Sequence, residues 1–314
     1  MNTLPLIPAD VPHKKHDIFV ENYTTITHTT ERLFLFSCDH KIEHLNHDFY
    51  GPLIHHHALH PEHLFRIAHQ GSIGAMATHL GLIMRYATQY STINYIAKLN
   101  GHSSLVNTDI DDPNSMILWK IEDVMTIKNE TNIPIRGIGI TVYLGSRYEA
   151  QLLAQAAQTI YKAHREGLVT VVWIYLRGKS VTHDNDPNLI AGAAGVGLSL
   201  GADFIKIKVP AQTTTLTSDQ ALKIVTSAGG NAKVICSGGE KTTIEHYLQT
   251  LYNQIHCGDS AGTATGRNIF QLPLNQAIAL TNAISAIVYK NEDVKTALSL
   301  YKTEEEQKLT HIAP

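Results

Sequence analysis

From about residue 138 onward the chain alternates short β-branched runs with longer helical patterns: GIGITVYLG, LVTVVWIYLRG, ADFIKIKVP, AKVICSGG and AGTATGRN. The intervals are roughly thirty residues, the size of one strand plus the crossover helix that returns the chain parallel to it. Parallel strands require such crossovers, so this rhythm restricts the fold to the α/β class. The intervening segments carry helix-start signals. Ser146 followed by Glu149 reads as a capping box, and Asp186 followed by Pro187 as an N-cap with proline at the first helical position. Upstream, RLFLFSCD, GSIGAMATHL and YIAKLNG bring the strand candidates to eight, the number that closes a (β/α)8 TIM barrel. A doubly wound open sheet is the alternative. Residues 1–30 are read as an N-terminal extension and 31–300 as the barrel. An insertion that includes a helix falls near 101–136, and 301–314 form a C-terminal tail.

Of 314 residues, 43% are hydrophobic and 17% charged, ample for a sizeable core. The net charge of −3, without a long basic run, gives no electrostatic reason to expect nucleic acid or an anionic membrane as partner. A small molecule is the expected partner. Cys38, Cys236 and Cys257 are odd in number and lack paired metal-site spacing, which favours reduced thiols in a cytoplasmic protein. No run approaches the roughly 18 apolar residues of a membrane span, and the first residues lack an apolar signal core.

Side chains alternate across a strand, so in DFIKIKVP the residues Phe204, Lys206 and Lys208 share one face, opposite Ile205, Ile207 and Val209. On pattern alone this could be a half-exposed antiparallel strand with its lysines in water. The same division recurs elsewhere, however. Trp173, Tyr175 and Arg177 oppose Val172, Ile174 and Leu176; Lys98 and Asn100 oppose Ala97 and Leu99; Asp39 shares a face with Ser37. These polar residues fall near the carboxyl ends of their strands, where barrel enzymes assemble active sites. Asp39, Lys98, Tyr175, Arg177 and Lys206 together read as a catalytic mouth, with Trp173 shaping the cavity. Desolvation and the charge of Lys208 or Lys98 would favour a neutral, nucleophilic Lys206. Glycine-rich turns after the last two strands, with Arg267, could receive a phosphate, although a tight turn and an exposed salt bridge are the plain alternatives.

Histidines offer a competing metal chemistry. His40, His44 and His47 are spaced so that they could converge on a cation, and His55, His56, His57, His60 and His63 follow. Histidine runs also commonly lie in solvent.

The combination DHKIEH at Asp39, KLNG at Lys98, TVYLGS at Thr141, VVWIYLRG at Val171, ADFIKIK at Ala202, SGGEKT at Ser237 and TGRNIFQ at Thr265 resembles the archaeal-type class I fructose-bisphosphate aldolases, over nearly the whole barrel. The resemblance implies a (β/α)8 fold and a lysine Schiff base rather than a metal. It also implies no cofactor and reversible cleavage of fructose 1,6-bisphosphate to two triose phosphates. It assigns the Schiff base to Lys206, proton transfer to Tyr175 and the acidic first-strand role to Asp39. His44 takes the position of the motif's second histidine, and Ser237, Gly238, Gly239, Gly266 and Arg267 take the phosphate positions. Lys98, Trp173, Arg177 and Lys208 are further substrate-side candidates. The expected protein is a cytoplasmic homo-oligomer acting on a phosphorylated sugar. Two departures bear on the substrate: Lys41 and Leu45 stand where the family's first-strand motif has glycines, and an extra amine or a crowded phosphate site would follow. Another phosphorylated sugar or keto compound, or a noncatalytic barrel, are the remaining alternatives.

Overall fold

In the computed structural model, which describes residues 5–43, 45–103 and 112–310, eight parallel strands close into a barrel. They are β1 (Leu33–Ser37), β2 (Ala75–His79), β3 (Tyr95–Lys98), β4 (Ile135–Leu144), β5 (Val169–Leu176), β6 (Phe204–Ile207), β7 (Lys233–Ser237) and β8 (Gly262–Thr265). Each pairs with its sequence neighbours, and β8 returns to β1 with Phe36 opposite Thr265. The expected TIM barrel is therefore the fold, and the open sheet is not. Both faces of these strands are covered, which is why β1 and β2 are buried at every position. Leu33, Leu35, Ala75, Ala77, Ile96, Val171, Phe204, Ile235 and Ala264 fill the lower interior.

The segment read as an extension carries a helix, His16–Thr27, that seals the amino-terminal end of the barrel. Tyr23 stacks on Phe204 at 5.3 Å, and Asn22 Nδ2 donates to the carbonyl of Gly167 at 2.8 Å. Beside it, His164 bridges two carboxylates, with Nδ1 2.9 Å from Asp10 and Nε2 3.1 Å from Asp203. Within the insertion, Asn100–Gly101 pairs antiparallel with Met116–Ile117, and a helix follows over Ile121–Thr131. The boundary placed at residue 300 falls inside a helix, Val294–Thr310, that packs against Leu274–Lys290 and Ile244–His256.

The N-cap read at Asp186 is present, its side chain accepting from the N–H groups of Asn188 and Leu189 at 2.9 and 3.0 Å. The capping box read at Ser146 and Glu149 is not. The helix begins at Glu149, so these two side chains instead brace the turn before it: Glu149 accepts from the Gly145 N–H and Ser146 from that of Tyr148. All three cysteines are free thiols. Among the described residues no helix is long and apolar enough to cross a membrane.

Candidate active site

The barrel register places the polar residues in one layer. Lys206 lies beside Trp173, Trp173 beside Thr141, and Lys98 beside Gly139. A Cβ on Gly139 would sit 2.4 Å from the Trp173 ring, so glycine there is what admits the indole to the interior. Trp173 is 1% exposed and lies beneath the cavity rather than on its wall. Its ring carries both amines, with Lys98 Nζ 5.1 Å and Lys206 Nζ 5.3 Å from the centroid. Trp173 thus forms the enclosed support on which the two amines rest.

Lys206 is buried, its Nζ 3.4 Å from Ser37 Oγ. Burial pushes its pKa down, opposed by Asp39 and Glu43 and assisted by Arg267. Lys208 has no such part. β6 ends at Ile207, so Lys208 stands at the rim, half exposed, with its ammonium 2.7 Å from Asp184. The depressing charge comes from Arg267, and the expectation that Lys208 or Lys98 supplies it is not met.

Lys98 is completely enclosed. Its Nζ is 3.5 Å from Asp39 Oδ2 and 3.2 Å from Glu43 Oε1, and it does not line the cavity. A buried cation between two carboxylates is charge-compensated and fixes both of them. Burial disfavours the Asp39 carboxylate, but Lys98 and Lys206, with His40 and His79, outweigh that and hold its pKa well below the usual range. Asp39 is therefore a carboxylate at neutral pH. Tyr175 is the opposite case: burial first, then Asp39 and Glu43, raise its pKa, so the phenol keeps its proton. The site thus assembles a buried amine that burial biases towards neutrality, an ionised carboxylate and a protonated phenol.

The amine and the phenol line a cavity of about 380 Å³ at the carboxyl ends of the strands, together with Arg177, Lys208, Ser237, Gly238, Gly239, Gly266 and Arg267, while Asp39 is buried beside it, 3.5 Å from Lys98 Nζ. Gly239 adopts φ +68°, a left-handed turn that glycine allows without strain. Arg267 is held in place, Nη2 donating to the Gly239 carbonyl at 3.1 Å and Nη1 3.9 Å from Asp48. The Gly238 N–H is already committed to the Ala264 carbonyl at 3.0 Å, so it is not a free anion donor as the turn reading had it. His44 lies outside the described residues.

Sequence reading missed four participants. Glu43, on the short helix His40–Glu43 after β1, lines the cavity and pairs with Lys98. Tyr143 lines it too and stacks on Tyr175 at 6.3 Å; the alternation in GIGITVYLG carries that signal. Asp184 pairs with Lys208, and Asn268 ties the two glycine turns together by donating to the Gly238 and Glu240 carbonyls. The substituted Lys41 turns away from the cavity. Its Nζ lies 4.0 Å over the Phe49 ring and donates to the Leu59 carbonyl, so it adds no amine to the wall. His40 lines the cavity beside Asp39 while His47 is exposed, and among the described residues the two do not gather into a metal cluster.

Comparison with known proteins places this geometry. Residues 33–272 match the DeoC/LacD family aldolase. The chain is 41% identical over 295 residues, 94% of each chain, to the fructose-bisphosphate aldolase/6-deoxy-5-ketofructose 1-phosphate synthase of Methanocaldococcus jannaschii. The solved fructose-bisphosphate aldolase from Slackia heliotrinireducens superposes with a TM-score of 0.94 at 45% identity, covering 97% of this chain and 96% of that one. An archaeal fructose-1,6-bisphosphate aldolase, solved with its catalytic lysine covalently bound to the carbinolamine intermediate of the substrate, gives 0.73 at 26% identity, covering 86% and 99%. The chain belongs to the DeoC/LacD aldolase family, and its homologues and structural neighbours there include archaeal-type class I fructose-bisphosphate aldolases.

Proposed function

We propose that the protein is a metal-independent class I aldolase that cleaves fructose 1,6-bisphosphate reversibly to dihydroxyacetone phosphate and glyceraldehyde 3-phosphate through a Schiff base on Lys206. The carrying observation is Lys206 itself, a buried amine at the cavity floor whose neutral form is favoured by burial. Its neutral nitrogen attacks the C2 carbonyl carbon, forming the C–N bond of a carbinolamine; loss of water gives the iminium. Removal of the C4 hydroxyl proton then breaks C3–C4. That electron pair passes into the iminium to form an enamine, and the aldehyde leaves. Protonation of the enamine carbon and hydrolysis of the iminium release the second triose phosphate and restore the amine.

The ionised Asp39 accepts and returns protons at the carbinolamine and hydroxyl stages, and the protonated Tyr175 is the acid for the enamine carbon. Arg267 with the Gly239 turn holds one phosphate, and Arg177 and Lys208 offer charge for the other across the mouth. Lys41 leaves the mouth unobstructed on its side, which supports a bisphosphate substrate. The 41% identity to a relative named also as a 6-deoxy-5-ketofructose 1-phosphate synthase supports a second reading, in which the same enamine is captured by a different aldehyde.

The test is borohydride reduction in the presence of dihydroxyacetone phosphate, followed by intact mass and peptide mapping. Wild type acquires one adduct on Lys206 and Lys206→Ala acquires none; an adduct on Lys208 would overturn the assignment. Turnover of fructose 1,6-bisphosphate against other aldehyde acceptors decides between the two substrate readings.

A further inference from the structure

Outside the cavity, the histidine-rich segment after β1 has no part in the chemistry above, yet it is built as a braced loop. The His55 N–H donates to the Gln271 carbonyl at 3.1 Å, and His63 Nε2 reaches the carbonyls of Phe270 and Leu272, each at 3.2 Å. Lys41 and Lys241 donate to the carbonyls of Leu59 and Leu53 at 3.3 and 2.6 Å. On this frame the rings of His55, His56 and His57 lie 4.3 to 4.5 Å apart, centroid to centroid. One nitrogen from each falls within 4.8 Å of the other two, and among the described residues no other group of three histidine, cysteine or acidic side chains does this.

We propose that His55, His56 and His57 form a binding site for a divalent transition cation, zinc above all, that pins the loop and takes no part in the reaction. Three imidazole nitrogens select zinc, cobalt, nickel or copper over magnesium or calcium, which prefer oxygen donors. At zinc–nitrogen distances near 2.0–2.1 Å, tetrahedral ligands sit about 3.3 Å from one another. Rotation of the exposed His56 and half-buried His55 and His57 side chains closes the present spacing.

A second observation points the same way. His57 Nδ1 is buried and has no hydrogen-bond partner among the described residues, an arrangement that costs free energy unless something occupies its lone pair. His55 Nδ1 accepts from the His57 N–H at 3.4 Å, longer than a good bond, so a metal displaces little by taking a nitrogen there. With three protein ligands the fourth position falls to water. None of the three histidines lines the cavity, so the cation cannot reach a carbonyl bound at Lys206.

The experiment uses the full chain without an affinity tag, stripped with chelator, then titrated with Zn²⁺ against a chromophoric chelator and separately with Co²⁺ read by its visible absorption. Wild type takes up one equivalent with a dissociation constant below about 10 μM. The H55Q/H56Q/H57Q variant and the single H56Q variant each bind at least about tenfold more weakly, whereas H246Q, on the outer helix Ile244–His256, binds like wild type. Zn²⁺ raises the thermal midpoint of wild type and not of the triple variant, and turnover in chelator is equal in the two. Failure of wild type to bind Zn²⁺ in this range would overturn the proposal, as would unchanged affinity in both H56Q and the triple variant.

Discussion

Lys206 and Lys208 stand two residues apart and point the same way, yet one is 5% exposed and the other carries a half-exposed ion pair with Asp184. The difference is only that β6 ends at Ile207, which leaves Lys206 within the barrel wall and Lys208 above it. Tyr175 is similarly defined by its surroundings, since a phenol kept protonated by burial and two carboxylates is suited to donating rather than accepting a proton. Tyr175→Phe should therefore retain borohydride trapping at Lys206 while turnover falls by about 10²- to 10⁴-fold. Near wild-type turnover in folded protein would remove Tyr175 from the mechanism, and loss of trapping would move it to Schiff-base formation. Lys206 and Tyr175 could be singled out in advance because they lie within β6 and β5, where strand alternation fixes which side chains share a face, whereas Asp39 lies just past the end of β1. Glu43 could not, because it comes from a short helix beyond the end of β1, where the alternation no longer applies.

At the scale of elements, β4 is the strand whose small residues decide what its neighbours can do. Gly139 faces the Trp173 ring and the Lys98 stem, so a methyl group there meets an aromatic face at 2.4 Å and an aliphatic chain at 3.3 Å. Gly139→Ala should cost roughly 1–3 kcal/mol by overpacking, read as a lower urea midpoint with an unchanged m-value. Trapping at Lys206 should slow in the same variant, because the indole that shapes the cavity floor must move. Normal stability and normal trapping together would show that the layer can absorb the methyl group. The eight strands were legible as β-branched runs, and the helix cap at Asp186 as a local signal. The bracing of the first loop was not, because Lys41 and Lys241 act through main-chain carbonyls of Leu59 and Leu53 that no side-chain pattern encodes. The substituted Lys41 looked like a new substrate contact for that reason, and its position over Phe49 instead makes it part of the loop's support.

For the whole molecule, buried histidines set how stability responds to pH, and they do so with opposite signs at opposite ends of the barrel. His63 and His79 are 3% and 8% exposed, and for each burial is the leading cause that lowers the pKa, to about 4 in both cases. Each is neutral when folded and takes up a proton on unfolding below its ordinary value of 6.5, so their contribution is complete above that pH and is lost as pH falls from 6.5 towards 4. At the amino-terminal end His164 is the reverse. Burial lowers its pKa, but the bonds and charges of Asp203 and Asp10 prevail and raise it, so its contribution is complete below 6.5 and is lost as pH rises through the folded value. Between pH 6.5 and 5 the unfolded carboxylates are still ionised and His164 is protonated in both states, so the slope is set by the histidines with lowered pKa values, His63 and His79 foremost, with His55, His57 and His256 adding in the same direction. Urea unfolding through this window should show stability falling by up to about 1.4 kcal/mol per pH unit for each of the two histidines. His63→Gln removes two hydrogen bonds to the carbonyls of Phe270 and Leu272 and so lowers stability at every pH. Only the loss of its proton uptake can also reduce the slope, by up to about 1.4 kcal/mol per pH unit. A stability that is flat from pH 6.5 to 5, or a slope untouched by His63→Gln, would show that these rings are protonated in the folded barrel.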